Sequence, residues 1–393
     1  MLAHLAADGS LVPGWPVHLP FAPDCQYLGV AADGSVRLVC EASDIAQPEW
    51  CCDTVRAFAV RPDGLPIAGW PVETDIPAAV RVVGDALVLV EDLPVADGEA
   101  VGSVRSKAQL TTIAADGTIE TGAREPIFYR GGNEVWAIGA DGLAYVTSRL
   151  SPVGSTEPAD WTRSELRKLG PDGFIGGWMV VIEGIASEAD VGPDGLAVLE
   201  VGVMDAAGTR VRSVDHLGGV VAESDALPYQ AASSGLQCTD GPVAPLRANE
   251  GVVTLGAADT FFALDANLDL LPGWPYGPEA IQSTGWPDPG ELDCGDPPAR
   301  PVLAPDGTLY VPLAAPSDST GGGLVAIARD GSTVAGWPVG LRRADSGFWT
   351  LALRANAGLF ALAVEREAAG LSATLLAIDP DSTVRWRTTI VDP

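Results

Sequence analysis

Lysine and histidine are nearly absent from this chain of 393 residues. Lys107 and Lys168 are its only lysines, His4, His18 and His216 its only histidines, and the other basic residues are scattered arginines. With 52 Asp and Glu against 23 Lys and Arg, the net charge is -29. A chain this short of clustered positive charge cannot grip a phosphate backbone, which excludes nucleic acid as a partner. The acidity itself reads as a solubility device. Long apolar runs are missing as well. None approaches the roughly 18 residues that carry a helix across a bilayer, so no membrane span is expected. The opening MLAHLAADGS has no basic segment, no long apolar core and no cleavage site, and is not a signal peptide. Helical periodicity is absent too: apolar residues alternate or run in short blocks. Glycine (46) and proline (32) are abundant but show no three-residue period, which excludes collagen and suits a chain of many turns.

What is present is repetition. At 47% apolar the chain can fold, yet its length exceeds what one core usually supports, so modules that each bury their own face are expected. Leu324 to Val339, LVAIARDGSTVAGWPV, reads as two short strands around an Asp-Gly turn closed by Gly-Trp-Pro, and Leu2 to Val17 is a second copy. The turn position recurs at Gly9, Gly64, Gly117, Gly173, Gly218, Leu268, Gly331 and Ser382, a period of about 53. A second kind of hairpin alternates with the first, beginning near Val30, Val80, Val135, Val191, Leu246, Val302 and Leu351. Its turns hold Gly, Asn or Asp, which supply the positive φ of tight hairpins. Taking the second kind as strands a and b and the first as c and d, the chain is one c-d pair followed by seven a-b-c-d units. The period and the short strands predict an all-β, β-propeller domain over 1-393, with seven complete four-stranded blades plus an N-terminal half blade, so seven- or eight-bladed. The first repeat starts within a module, as it would if an upstream piece were absent.

This strand order sorts the connections. The a-b and c-d turns are short and share one face. The b-c and d-a connections share the other, and the long insertions all fall there: Glu41 to Thr54, Asp92 to Lys107, Arg149 to Ser164, Leu227 to Val243 and Gly277 to Ala299. Function is expected on that face, where variable loops stand on a rigid scaffold.

The c-d unit resembles the repeat of the quinoprotein-like (PQQ-like) propellers, in which a hairpin with a turn Gly and a following Trp ends each blade. Its Gly-Trp-Pro ending, at Trp15, Trp70, Trp274 and Trp337, is similar to that of secreted bacterial repeat proteins of the FG-GAP type. The resemblance implies the fold over nearly the whole chain. Its members include both dehydrogenases and binding proteins, so it leaves activity open.

Trp15, Trp70, Trp178, Trp274, Trp337 and, nearly in register, Trp386 recur once per hairpin and are read as packing between blades. The six cysteines Cys25, Cys40, Cys51, Cys52, Cys238 and Cys294 suggest disulfides and an oxidising compartment. The strand order puts all six at the long-loop face, with pairing within Cys25, Cys40, Cys51 and Cys52 and a bridge from Cys238 to Cys294. Zinc is disfavoured, because no C-x-x-C pair exists and no histidine is near. The vicinal Cys51-Cys52 pair resembles one beside the quinone in some PQQ dehydrogenases. Asp265, Asn267 and Asp269 open a calcium-loop pattern, but Leu270 stands where its Gly belongs, so an ordinary polar turn is the simpler reading. Asp288, Glu291, Asp293 and Asp296 form a second acidic cluster. No histidine is singled out for a catalytic triad, and no nucleotide-binding motif occurs.

The expected function is a non-catalytic, monomeric, extracellular or periplasmic propeller that binds a protein or glycan, with no cofactor. Trp50, Trp161 and Trp286, the tryptophans in the long loops, are its candidate ligand contacts. The alternatives are a PQQ- and calcium-dependent quinoprotein dehydrogenase or other propeller enzyme, and a fragment of a larger surface protein.

Overall fold

The computed structural model describes residues 4–6, 8–15, 17, 25–41, 54–75, 77–94, 104–128, 136–150, 163–192, 195–202, 209–227, 246–249, 251–257, 260–277, 301–313, 323–340, 346–353, 358–367 and 370–390. Every named element among them is a β-strand. No helix is long and apolar enough to cross a membrane.

The strands form antiparallel sheets in chain order. The first sheet holds β1 (Cys25–Val30), β2 (Val36–Glu41), β3 (Thr54–Val60) and β4 (Val72–Asp75). The second holds β5 (Pro77–Val83), β6 (Ala86–Pro94), β7 (Val104–Ile113) and β8 (Ile119–Phe128). The third holds β9 (Trp136–Ile138), β10 (Ala144–Leu150), β11 (Arg163–Gly170) and β12 (Gly173–Glu183). The fourth holds β13 (Ile185–Val191), β14 (Ala197–Gly202), β15 (Thr209–Val214) and β16 (Val220–Glu223). The fifth has three strands, β17 (Arg247–Asn249), β18 (Val252–Ala257) and β19 (Thr260–Leu264). The sixth holds β20 (Val302–Leu303), β21 (Leu309–Leu313), β22 (Gly323–Ile327) and β23 (Val339–Gly340). The seventh holds β24 (Ser346–Leu353), β25 (Leu359–Glu367), β26 (Gly370–Ile378) and β27 (Val384–Ile390).

The fold is thus all-β and of propeller type, with six four-stranded blades among the described residues. Among the described residues the fifth of the expected seven complete blades has three strands instead of four, so the expected count of seven or eight blades is not supported. The chain after β19 pairs with it, among the described residues, at the isolated bridges Leu264↔Leu270 and Phe261↔Tyr276. The N-terminal hairpin is bridged at Leu5↔Leu11.

The chain divides into two compact units. The first comprises Met1–Val191, Val203–Ala206 and His216–Gly219, and the second Gly192–Gly202, Ala207–Asp215 and Val220–Pro393. Within each, sheets are buried on both faces because alternate residues of a strand point opposite ways. In the first unit, Leu87 and Leu89 of β6 pack with Val55, Ala57 and Trp70 of the preceding sheet. Val88 and Val90 face the other way, onto Ile138, Ala144 and Val146 of the following sheet. In the second unit, Phe262 and Leu264 of β19 join Val198 and Val211, whereas Phe261 and Ala263 join Leu309 and Val311. That two-sided burial is why the inner strands read as apolar blocks and the outermost ones as alternating.

The Gly-Trp-Pro ending is a second tight turn. In the sixth sheet the Trp337 N–H donates to the Val334 carbonyl at 3.1 Å, and the same bond closes Trp15 on Val12, Trp70 on Ile67 and Trp274 on Leu271. The glycine of this turn has positive φ, +86° at Gly273. A Cβ at Gly273 would also stand 1.9 Å from the carbonyl oxygen of Asp330 in the next hairpin. Backbone conformation and close approach therefore both demand glycine. The Trp-Pro bonds at Trp70, Trp274 and Trp337 are cis.

Candidate functional site

The two ends of the sheets are built differently. At the turn end, Asp side chains close many of the hairpins locally. Asp330 Oδ1 accepts from the Ser332 N–H at 3.0 Å and from its hydroxyl at 2.6 Å, and Asp8 does the same for Ser10. These hydrogen bonds from Ser332 and Ser10 hold the pKa values of Asp330 and Asp8 below the usual carboxylate value. The hairpins are then tied to one another by indole N–H groups. Trp15 donates to the Pro62 carbonyl at 2.8 Å, Trp70 to Ala115 at 3.1 Å and Trp178 to His216 at 2.9 Å in the first unit. In the second, Trp274 donates to Arg329 and Trp337 to Pro380, both at 2.9 Å. Every acceptor lies two residues before the turn position of the next hairpin.

Four indoles are also held from inside their own blades. The second residue of strand b meets it: Arg37 over Trp70 at 5.3 Å, Tyr145 edge-on to Trp178 at 5.5 Å, Tyr310 beside Trp337 at 5.4 Å and Phe360 beside Trp386 at 5.9 Å. Arg37 is fully buried, and its guanidinium reaches Ser35 Oγ and the Asp85 carbonyl. Burial lowers its pKa while Asp33 and Asp85 raise it. Lys168 Nζ sits 5.0 Å over the Tyr145 ring and 3.1 Å from Asp141 Oδ2. Burial there works against its charge, but Tyr145 and Asp141 outweigh it and the net shift is upward. Tyr310 is pushed up to about 12 by burial and by the charge of Asp306. These groups complete the packing of the turn end.

The opposite end is where β2 leads to residue 42 and β6 to residue 95, so the long connections leave from it. Two described groups mark it. Glu91 of β6 lies two residues beyond Leu89 on the same face, opposite Pro77 and Gln109. It is only 5% exposed. Its Oε2 accepts from the Thr111 hydroxyl at 2.7 Å. Burial raises its pKa and the Asp75 carboxylate adds to that, against the Thr111 hydroxyl, Arg124 and the Asp75 N–H. Cys40 of β2 is the other. It is fully buried and disulfide-bonded, and its Cα stands opposite that of Cys25, the first residue of β1.

Of the residues singled out in the sequence, Trp50, Trp161, Trp286, Cys51, Cys52, Cys238, Cys294 and the cluster Asp288, Glu291, Asp293 and Asp296 lie outside the described residues. Asp265, Asn267 and Asp269 form the turn after β19. Asp265 Oδ1 accepts from the Asn267 N–H at 2.8 Å and the Asp269 N–H at 3.0 Å, so this carboxylate closes its own turn. Among the described residues no three His, Cys, Asp or Glu side chains are grouped to hold a metal ion. His4 packs edge-on to Trp15 at 5.3 Å, and His216 lends its carbonyl to Trp178. Sequence reasoning missed Glu91, although an acid placed directly after LVLV, on the face of Leu87 and Leu89, was the available signal.

No protein-family model matches the chain, and no curated protein matches it. Among solved structures, the β-propeller domain of the Trilobed protease from Pyrococcus furiosus is similar with a TM-score of 0.49 at 7% identity, over 93% of this chain and 98% of that one. Hsv2 from Kluyvelomyces marxianus is similar with a TM-score of 0.43 at 12% identity, over 95% and 98%. A quinonprotein alcohol dehydrogenase-like protein from Bacteroides thetaiotaomicron is similar with a TM-score of 0.41 at 11% identity, over 82% and 66%. At these values they are likenesses alone, and the propeller assignment stands on the blades described above.

Proposed function

We propose that this chain is a non-catalytic, extracellular or periplasmic propeller of PQQ-like repeat type that binds a protein or glycan through the loop end of its sheets. One observation carries this reading: the two ends are unequally committed. At the turn end, Asp side chains and indole N–H groups are consumed by closing and joining hairpins. At the loop end the long connections depart from strands whose position that joining fixes, which is the arrangement recognition loops require. The disulfide at Cys40 supports an oxidising compartment. Its partner in this reading is Cys25, directly across the ladder.

The test is a glycan array probed with the purified full chain. Saturable binding that disappears when Trp50, Trp161 and Trp286 are replaced by Ala, with unchanged melting, is the expected result. Binding that survives the triple replacement, or consumption of the arrayed sugar, sinks the proposal in its glycan form. Dye reduction after addition of PQQ and calcium would establish the enzyme instead.

A further inference from the structure

Eight turns among the described residues are Asp-Gly, and seven of them are closed in one way. The carboxylates of Asp8, Asp33, Asp63, Asp116, Asp141, Asp306 and Asp330 each accept from the N–H two residues on, at 2.8 to 3.3 Å. Such bonds from Ser10, Thr118 and Ser332 hold Asp8, Asp116 and Asp330 below the usual carboxylate value, and so as anions. The eighth, Asp172, is exposed, and among the described residues no hydrogen bond or ion pair holds its carboxylate. Asp97, Asp194 and Asp240 also precede glycine and lie outside the described residues.

The difference follows from Ala123, which stands where other hairpins carry tryptophan. Elsewhere an indole N–H reaches the carbonyl two residues before the next turn position. Here the acceptor holds the same place, Pro171, but the donor is the backbone N–H of Ala123, at 2.9 Å. That bond brings β8 against the turn between β11 and β12. Glu125, two residues further along β8, then reaches across, and its Oε1 accepts from the Phe174 N–H at 3.2 Å. Phe174 is the residue whose N–H, by the pattern of the other seven turns, would close on Asp172. A Cβ on Gly173 would stand 2.1 Å from the same Oε1, so the approach of Glu125 also needs the glycine.

In an Asp-Gly pair no side chain on the glycine hinders attack of its nitrogen on the Asp Cγ. The N–Cγ bond forms, and the hydroxyl of the protonated carboxyl leaves with the N–H proton as water, which closes a succinimide. A second water opens that ring at either carbonyl. Opening at the main-chain carbonyl gives isoaspartate, whose backbone runs through the former side chain. We propose that Asp172 is a modification site: of the eight Asp-Gly turns it is the one that cyclises and reopens as isoaspartate, because its carboxyl alone breaks no hydrogen bond to reach the glycine nitrogen. The added main-chain methylene falls next to Pro171, so the modified turn loosens the tie from Ala123. This site is separate from the loop end and does not depend on it.

The full chain is held for weeks at neutral pH and physiological temperature, and isoaspartate at each turn is measured by peptide mapping with electron-transfer fragmentation. Asp172 should convert about tenfold faster than each of the other seven, the factor that one net hydrogen bond amounts to. Glu125→Ala returns the Phe174 N–H to Asp172, and it should slow conversion there by about the same factor while leaving the other seven unchanged. Glu125→Gln keeps an acceptor for that N–H and should leave Asp172 as fast as in the wild type. Conversion of Asp172 no faster than that of the seven, no slowing in Glu125→Ala, or slowing in Glu125→Gln overturns the proposal. Equal rates at all eight turns would mean that conversion passes through the unfolded chain. Matching melting curves guard against misfolding, and if Glu125→Ala does not fold, the wild-type ranking of the turns still decides.

Discussion

The indole N–H of Trp274 and the carbonyl of Arg329 lie 2.9 Å apart, although 55 residues separate them in the chain. One hydrogen bond thereby ties a hairpin to its successor one period on. Removing the donor while keeping a ring, in Trp274→Phe, leaves the Arg329 carbonyl without this partner and should cost about 1 to 2 kcal/mol. Trp274→Ala also empties the slot and should cost about 3 to 5 kcal/mol. Urea unfolding of both variants checks this. Equal losses would mean that the bond, not the ring's bulk, does the tying.

Gly273 and Gly177 both have positive φ, +86° and +78°, but they differ in surroundings. A Cβ on Gly177 meets nothing within 4 Å, whereas one on Gly273 meets Asp330 O at 1.9 Å. Gly177→Ala should therefore cost only the conformational penalty of about 1 kcal/mol. Gly273→Ala must push two hairpins apart as well and should exceed about 3 kcal/mol. Thermal melting ranks the two. A Gly273→Ala protein as stable as Gly177→Ala would show that the contact yields freely.

How far the sequence reached is visible at the turns. The repeat placed Leu268 and Ser382 where other hairpins carry Gly, and both adopt positive φ, +65° and +71°. Strand order within each blade was legible for the same reason, since a turn every few residues leaves meander pairing as the simplest outcome. The strand-b slot beside four of the indoles was not. Arg37, Tyr145, Tyr310 and Phe360 share a position and a partner but no chemical type, so no pattern search links them. Glu91 was hidden by its position in a strand that otherwise reads as core.

Glu91 should make stability depend on pH in the opposite sense from the turn aspartates. Its native pKa is raised above its usual value of 4.5. The native state therefore holds this proton more tightly than the unfolded chain does, and stability is gained as pH falls through the native pKa toward 4.5. Glu91→Gln keeps an acceptor for Thr111 but cannot titrate. Its stability advantage over wild type should be greatest at neutral pH and shrink on acidification. Unfolding titrations across that range measure the difference, and a constant gap would refute the burial argument. For Asp330, whose native pKa is lowered, stability is present above the usual value and is lost as pH falls through the native one.

The disulfide at Cys40 makes a covalent prediction. Non-reducing peptide mapping of exported protein should recover Cys40 linked to Cys25, across the β1–β2 ladder. Closing a loop of that size stabilises by about 3 kcal/mol in the chain-entropy account. The variant Cys25→Ser should lose a comparable amount. Cys40 linked instead to Cys51 or Cys52 would move the bridge from within the hairpin to its junction with the following connection.

The indole bonds run one way, from each tryptophan-bearing hairpin that donates to the one after it, and each is complete within a single step. They span from 38 to 55 residues, so the connections between hairpins can change length without breaking the series. A gene for such a chain can lengthen or shorten by copying without repairing its contacts, provided that it counts in whole hairpin units. The hairpins at Gly117 and Gly218 carry Ala123 and Ser224 where the tryptophan would fall. These are the joints at which such copying would meet least resistance.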